Sequence, residues 1–286
     1  MSKLSQVRPQ LGESPSLKPG SDLLGDRIKQ FEAVETERKF DKDLPIYARI
    51  DGRSFSAFTR DMDRPFDARM TMAMIGTTMH LVEKTNALIG YCQSDEISLA
   101  WLCSKPESQP LFGGKVHKLT SVLASLTTAA FTREVLCAFP NGALLNARLP
   151  HFDARVFQLP SKEETANAFL WRTNDARKNA VSQVARAHFS AKQLHEKNSL
   201  EMIDMLMEKG VNFYDVAFKS AHGTFVRRRL VTRCLWPDER ERIPEKHRPP
   251  VDQMVTRHTV EAMGLGEFRR VKNRVEVIFD GAEPIS

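Results

Sequence analysis

Two short apolar runs in this 286-residue chain end on carboxylates. Ile46-Tyr47-Ala48-Arg49-Ile50 leads into Asp51-Gly52-Arg53, and Gly90-Tyr91-Cys92-Gln93-Ser94 leads into Asp95-Glu96 before apolar character resumes at Ile97. Paired acids inside a strand-like run are unfavourable unless something cationic sits against them. A divalent metal would meet that need. Magnesium binds oxygen octahedrally at about 2.0 to 2.1 Å and usually takes only one or two carboxylates, the rest coming from water and phosphate. Asp51, the Gly52 carbonyl and Asp95 match this economy. They could hold two ions about 3.5 to 4 Å apart, one for an attacking hydroxyl and one for nucleotide phosphates. Glu96 either completes the site or orients it from behind. The competing reading is that the acids cap turns and pair with Arg49 or Arg53.

Phosphoryl chemistry also needs cations that neutralise the transferred group. Arg172, Arg177 and Lys178 within one helical stretch, and Lys197-Asn198 just after it, are the candidates, each of which is individually more often a solvated side chain. No GxxxxGK[ST] loop and no GxGxxG after a strand is present, so a nucleotide would have to bind through metal. His188 and His195 lack a carboxylate or cysteine at metal spacing, and no Ser/His/Asp or Cys/His order nominates a nucleophile.

The elements that would position these residues follow from periodicity and capping. Residues 1–22, with prolines and serines and no apolar period, read as a disordered tail. A helix is expected over residues 25–40, and a strand from Pro45 through Ile50. Asp67 is a suitable N-cap for a helix running to about Thr85 and closed by Asn86. Two short strands, 88–92 and 97–102, form a hairpin with the acids at its tip. A buried helix over 119–139 stopped by Pro140 and a strand over 152–159 complete the series. The order strand, helix, strand, strand, helix, strand is the ferredoxin-like βαββαβ pattern, in which the first and third strands are central neighbours. Asp51 and the Asp95-Glu96 tip would then share one end of the sheet.

Beyond residue 160 the pattern turns helical. Ser161 with Glu164 resembles a capping box, leading a helix to about Ser190, and a second helix over 200–209 ends at Gly210. Residues 275–279 could form a last strand. The domain reading is a tail at 1–22, a catalytic α+β domain at 23–160, a helical region at 161–235 and a C-terminal segment at 236–286.

The formal charge of +6 is unevenly spread, because residues 219–274 hold 14 Lys/Arg against 7 Asp/Glu. Such a field attracts polyanions. Cys92, Cys103, Cys137 and Cys234 are far apart without a CxxC pair, which fits a reducing cytoplasm rather than a disulfide framework. No run of about 18 apolar residues suggests a membrane span.

Taken as words, Arg49-Ile50-Asp51-Gly52-Arg53-Ser54-Phe55, Arg64-Pro65-Phe66-Asp67-Ala68-Arg69 and Gly90-Tyr91-Cys92-Gln93-Ser94-Asp95-Glu96-Ile97-Ser98 resemble the tRNA-His guanylyltransferase family in order and spacing. The likeness continues through His151-Phe152-Asp153-Ala154-Arg155, Trp171-Arg172 and Lys197-Asn198. It implies a polymerase-like palm with helical fingers that adds nucleotides to the 5′ end of tRNA. ATP or another NTP activates the 5′-monophosphate, and the 3′-hydroxyl of an incoming NTP then attacks. On this likeness Asp51, Gly52 and Asp95 hold two Mg2+ ions, and Glu96 supports them. Arg53, Ser54, Phe55, Ser94, Lys197 and Asn198 match nucleotide-binding positions. Arg172, Arg177, Lys178, Arg227, Arg228 and Arg229 would hold tRNA, and a cytoplasmic homotetramer is implied.

One departure bears on the substrate. Members that add guanosine to histidine tRNA carry a His-Ile-Asn-Asn motif after Trp-Arg, where this chain reads Asp175-Ala176-Arg177-Lys178-Asn179-Ala180. The sequence looks more like bacterial-type members that repair 5′-truncated tRNA against the opposite strand. Histidine-specific addition is the alternative, as are a noncatalytic ferredoxin-like RNA-binding module and a palm-type nucleotide cyclase. The RNA module would present stacking aromatics rather than acids on its sheet.

Overall fold

The computed structural model describes residues 23–103, 107–139, 148–217 and 221–286. The expected tail at 1–22 and the stop at Pro140 lie outside them. The chain falls into two units, residues up to Glu37 and residues from Arg38 onward. In the first, helix α1 (Leu23–Thr36) carries Leu24, Ile28 and Phe31 at helical spacing, all of them exposed. It ends at Thr36, short of the expected Phe40.

The second unit opens with strand β1 (Ile46–Gly52), the short helix α2 (Phe55–Phe58) and helix α3 (Ala68–Thr85). Strands β2 (Ile89–Gln93) and β3 (Glu96–Trp101), helix α4 (Val116–Ala138) and strand β4 (Phe152–Gln158) follow. This is the expected βαββαβ order. Local chemistry sets the boundaries of α3: the Asp67 carboxylate accepts from the Arg69 backbone N–H, and Asn86 at φ 55° turns the chain out of the helix. Gln93 pairs with Glu96, so Ser94 and Asp95 form the hairpin turn, with Ser94 in the left-handed region that tight hairpins require.

Alternation along the strands divides two cores. Ile46, Ala48, Ile50, Cys92, Ile97 and Leu99 pack with α3 and α4 residues such as Leu81, Val82, Leu119 and Leu123. On the opposite face, Tyr47, Ile89, Tyr91 and Ala100 pack with Phe169 and Ala176 of helix α5 (Lys162–His188), which Ser161 caps as expected. Because both faces are covered, every residue of β2 and β3 is buried. Helices α6 (Ala191–Leu194), α7 (Ser199–Glu208) and α8 (Phe213–Ala217) add a third cluster with the C-terminal half of α5.

The sheet does not stop at four strands. Strands β5 (Thr224–Arg233) and β6 (Val255–Met263) extend it to the antiparallel order β4-β1-β3-β2-β5-β6, with helix α9 (Pro237–Glu241) between them. The helical region expected through residue 235 therefore yields to strand at Thr224. The expected strand at 275–279 is also corrected: Arg274–Phe279 is helix α10. Val275-Glu276-Val277 alternates like a strand, but the adjacent Val277 and Ile278 are both buried, which a helix lying on α5 and the opposite-face core allows.

Candidate active site

Register places the acids. Asp51 stands opposite Glu96 of β3 on one side and Asp153 of β4 on the other, and the Gly52 N–H donates to the Asp95 carbonyl at 3.1 Å. The last residue pair of β1 and the hairpin turn are thus tied together, and Asp51 reaches the same end of the sheet as Asp95. Among the described residues neither Asp51 nor Asp95 forms an ion pair. Burial raises the Asp95 carboxyl above its usual range; the Ser94 hydroxyl opposes the shift and the Asp51 charge adds to it. Two carboxylates close together, partly desolvated and without a counterion suit a divalent cation better than any arrangement of side chains here. Two acids and a carbonyl make a sparse donor set, and no group of three His, Cys, Asp or Glu among the described residues forms a denser one.

Glu96 differs from its neighbour. It is buried, and Arg172 Nε donates to its Oε1 at 2.6 Å, with Arg49 Nε at 3.9 Å from Oε2. Arg172 Nη2 donates in turn to Asp175 at 2.8 Å, and Trp171 covers both guanidiniums. Burial would lower the Arg172 pKa, but the two carboxylates raise it above the usual arginine value. Glu96 is the inward half of a desolvated ion pair that ties the hairpin to α5. Arg172, expected in the tRNA-binding set, is 5% exposed with its Nε and Nη2 engaged by Glu96 and Asp175, which leaves it little access to phosphate.

The same holds for Arg227. It is buried, donating to Glu261 and Glu283 at 2.8 Å each, so it too is unavailable to phosphate. Arg228 donates to Asn86, Arg229 is exposed with Glu261 at 3.6 Å, Arg177 donates to the Tyr214 hydroxyl and Lys178 is exposed. These four remain accessible.

A cavity of about 620 Å³ opens beside the turn. It lies between the loop after α2, the first half of α3, the turn itself and α5, and Gly223 and Thr224 close it. Of the expected nucleotide residues, Phe55, Ser94 and the neighbouring Asp95 line it, while Arg53, Ser54, Lys197 and Asn198 do not. Lys197 pairs with Glu201 at 3.0 Å, and Asn198 caps α7 by accepting from Leu200 and Glu201. Phe55 is at once cavity wall and core, stacked with Phe58, Phe131 and Phe152. Its ring also explains Gly52, where a Cβ would run into Phe55.

Sequence reasoning missed most of the cavity wall. Met62, Met70 and Met74 give it an apolar side, and Asn179, Gln183 and Arg186 of α5 give it a polar one. The helical spacing of Ala176, Asn179, Ala180 and Gln183, with alanine where the helix comes close, was the available signal.

The sequence pattern described as tRNAHis guanylyltransferase matches residues 25–160. A bacterial tRNA(His) guanylyltransferase-like protein solved in complex with ATP is 35% identical, over 72% of this chain and 87% of that one, with a TM-score of 0.67. A second such protein, solved with GTP, is 29% identical over 84% and 91%, with a TM-score of 0.61. The tRNA(His) guanylyltransferase of Debaryomyces hansenii is 30% identical over 52% of this chain and 54% of its own length. The chain thus belongs to the tRNA-His guanylyltransferase family, nucleotidyltransferases that act on tRNA.

Proposed function

We propose that the protein is a magnesium-dependent, template-directed 3′-to-5′ nucleotidyltransferase that adds nucleotides to the 5′ end of truncated tRNA after an NTP has activated the 5′-phosphate. The observation that carries this reading is that Asp95, in the cavity wall, and Asp51, brought to the same end of the sheet where the Gly52 N–H donates to the Asp95 carbonyl, form no ion pair with any described residue. Asp51, Asp95 and the Gly52 carbonyl would hold the metal. Magnesium bound there polarises a phosphoryl oxygen and lowers the pKa of an attacking hydroxyl.

The rest is done by the chain itself. Arg64 and Arg186 at the cavity rim supply positive charge for a triphosphate, and the cavity falls within the roughly 300 to 1,000 Å³ of ordinary ligand sites. Its methionine-rich wall adapts to different bases, which suits an enzyme that takes its instruction from a template strand. Arg177, Lys178, Arg228 and Arg229 are the exposed or half-exposed cations left to contact tRNA backbone. ATP and GTP are the expected triphosphates, in keeping with the ligands of the two bacterial relatives. The four free cysteines suit a cytoplasmic enzyme, and the tetramer common to the family is checked by sedimentation.

Incubation with labelled NTPs and several 5′-truncated tRNAs, beside a full-length histidine tRNA, tests the proposal. Longer products from the truncated substrates, set by the opposite strand, are expected. A product from histidine tRNA alone would shift the reading to histidine-specific addition, and no product from any substrate would end it.

A further inference from the structure

Among the polar side chains around the cavity, Gln93 is unusual in being buried and unengaged. It is 8% exposed and lines the cavity, yet its carboxamide has no hydrogen-bond partner among the described residues. Among the described residues the side-chain atoms buried without a partner are Tyr47 Oη and Ser98 Oγ, so the Gln93 amide is open to the cavity and free to bond whatever enters it. Two of the acids nearby are already committed: Glu96, its partner across the hairpin, is held by Arg172, and Asp175 accepts from Arg172 and Asn179.

We propose that the Gln93 carboxamide reads the nucleoside of the triphosphate bound in this cavity and is a specificity-determining contact. The inference rests on the nucleotide reading above and deepens it. A carboxamide offers two donors and one acceptor, the complement of a base edge or a ribose hydroxyl, and it carries no charge with which to hold phosphate. Cavity cations at Arg64 and Arg186 serve that purpose instead. Cys92, Met74, Ala176 and Ala180 give the wall apolar neighbours, so an analogue lacking the group that matches the amide loses that bond and is disfavoured.

The test is equilibrium binding of ATP, GTP, CTP, UTP and 2′-deoxy-ATP to the full-length chain with magnesium, for wild type, Gln93→Met and Gln93→Glu, with the Tm of each. Gln93→Met is expected to weaken the best-bound triphosphate by about tenfold, the worth of one buried hydrogen bond. It should also erase either the preference among bases or the preference for ribose over deoxyribose, which shows what the amide reads. Its Tm should equal or exceed wild type, because no bond within the protein is lost, and Gln93→Glu, which keeps the acceptor only, should alter the order of preference. Affinities within twofold of wild type for all five probes, or a weakening matched by a lower Tm, would overturn the inference while leaving the cavity assignment in place. Wild-type protein that binds no triphosphate would overturn both.

Discussion

At the β1–β3 end of the sheet, Asp51 and Asp95 stand without an ion pair to any described residue, whereas in the β5–β6 ribbon Arg227, Arg229 and Arg233 come with acids. Arg227 is bound by Glu261 and Glu283, Arg229 lies near both, and Arg233 is bound by Glu239 at 2.7 Å. Just outside the ribbon Arg269 and Arg270 share Glu267. Part of the charge that made residues 219–274 look like a polyanion-binding surface is therefore spent on pairs within the fold. Uncompensated acids at the other end do nothing for stability, since desolvated like charges repel. Charge left unpaired in a cleft points to chemistry, and charge neutralised within the fold points to architecture.

The contrast is sharpest between Asp95 and Glu96, adjacent in sequence and opposite in environment. Asp95→Asn or Asp51→Asn is expected to lower 5′-extension by about a thousandfold, equivalent to several kcal/mol of transition-state stabilisation. The Tm of either variant should hold or rise, and added magnesium should raise the Tm of wild type but not of the variants. A variant that loses activity only by unfolding would remove the contrast.

Arg172→Met should act on stability first. It leaves Glu96 buried without its partner, and urea denaturation should show a loss of about 3 to 5 kcal/mol. Adding Glu96→Leu should recover much of that loss, because a well-packed apolar pair avoids desolvating either charge. Failure of the second substitution to recover stability would mean that Glu96 is held by something other than Arg172.

In the ribbon, Arg229→Gln should lower the salt dependence of tRNA binding by about one unit of slope, the effect of a single phosphate contact. Arg227→Met should leave that slope unchanged while lowering stability. Equal effects of the two on tRNA would mean that burial does not separate them.

The smallest effect is expected at Asp67. The Arg69 side-chain hydrogen bond, with backbone donors from Asp63 and Arg69, lowers its carboxyl to about 2 despite burial. A carboxylate depressed in the folded state adds stability above its unfolded pKa near 4, and that stability fades as pH falls toward about 2. Asp67→Asn keeps a capping oxygen, so its stability deficit relative to wild type at pH 6 should shrink as acid unfolding is followed down through pH 4 to 2. A deficit independent of pH would assign the role to the cap alone.

Much of this was legible in the chain. The acids at the ends of two strands, the caps at Asp67, Asn86, Ser161 and Gly210, and the βαββαβ order depend on residues within a turn or two of one another, where periodicity and capping chemistry act directly. Short alternating runs were the weak point: Arg274–Phe279 reads as strand until burial of consecutive residues makes it helix, and Thr224–Arg233 hides its pairing behind three arginines.

Availability was decided only by tertiary structure. Arg172 and Arg177 look alike in sequence, yet one is sealed against Glu96, 76 residues away, and the other reaches Tyr214 at the surface. The cavity likewise draws its wall from the loop after α2, α3, the hairpin turn and α5, which no local pattern connects. Sequence determines which groups can carry charge and which elements display them. The packed fold decides which of those charges are neutralised, because desolvation and pairing depend on partners that meet only once the chain has closed.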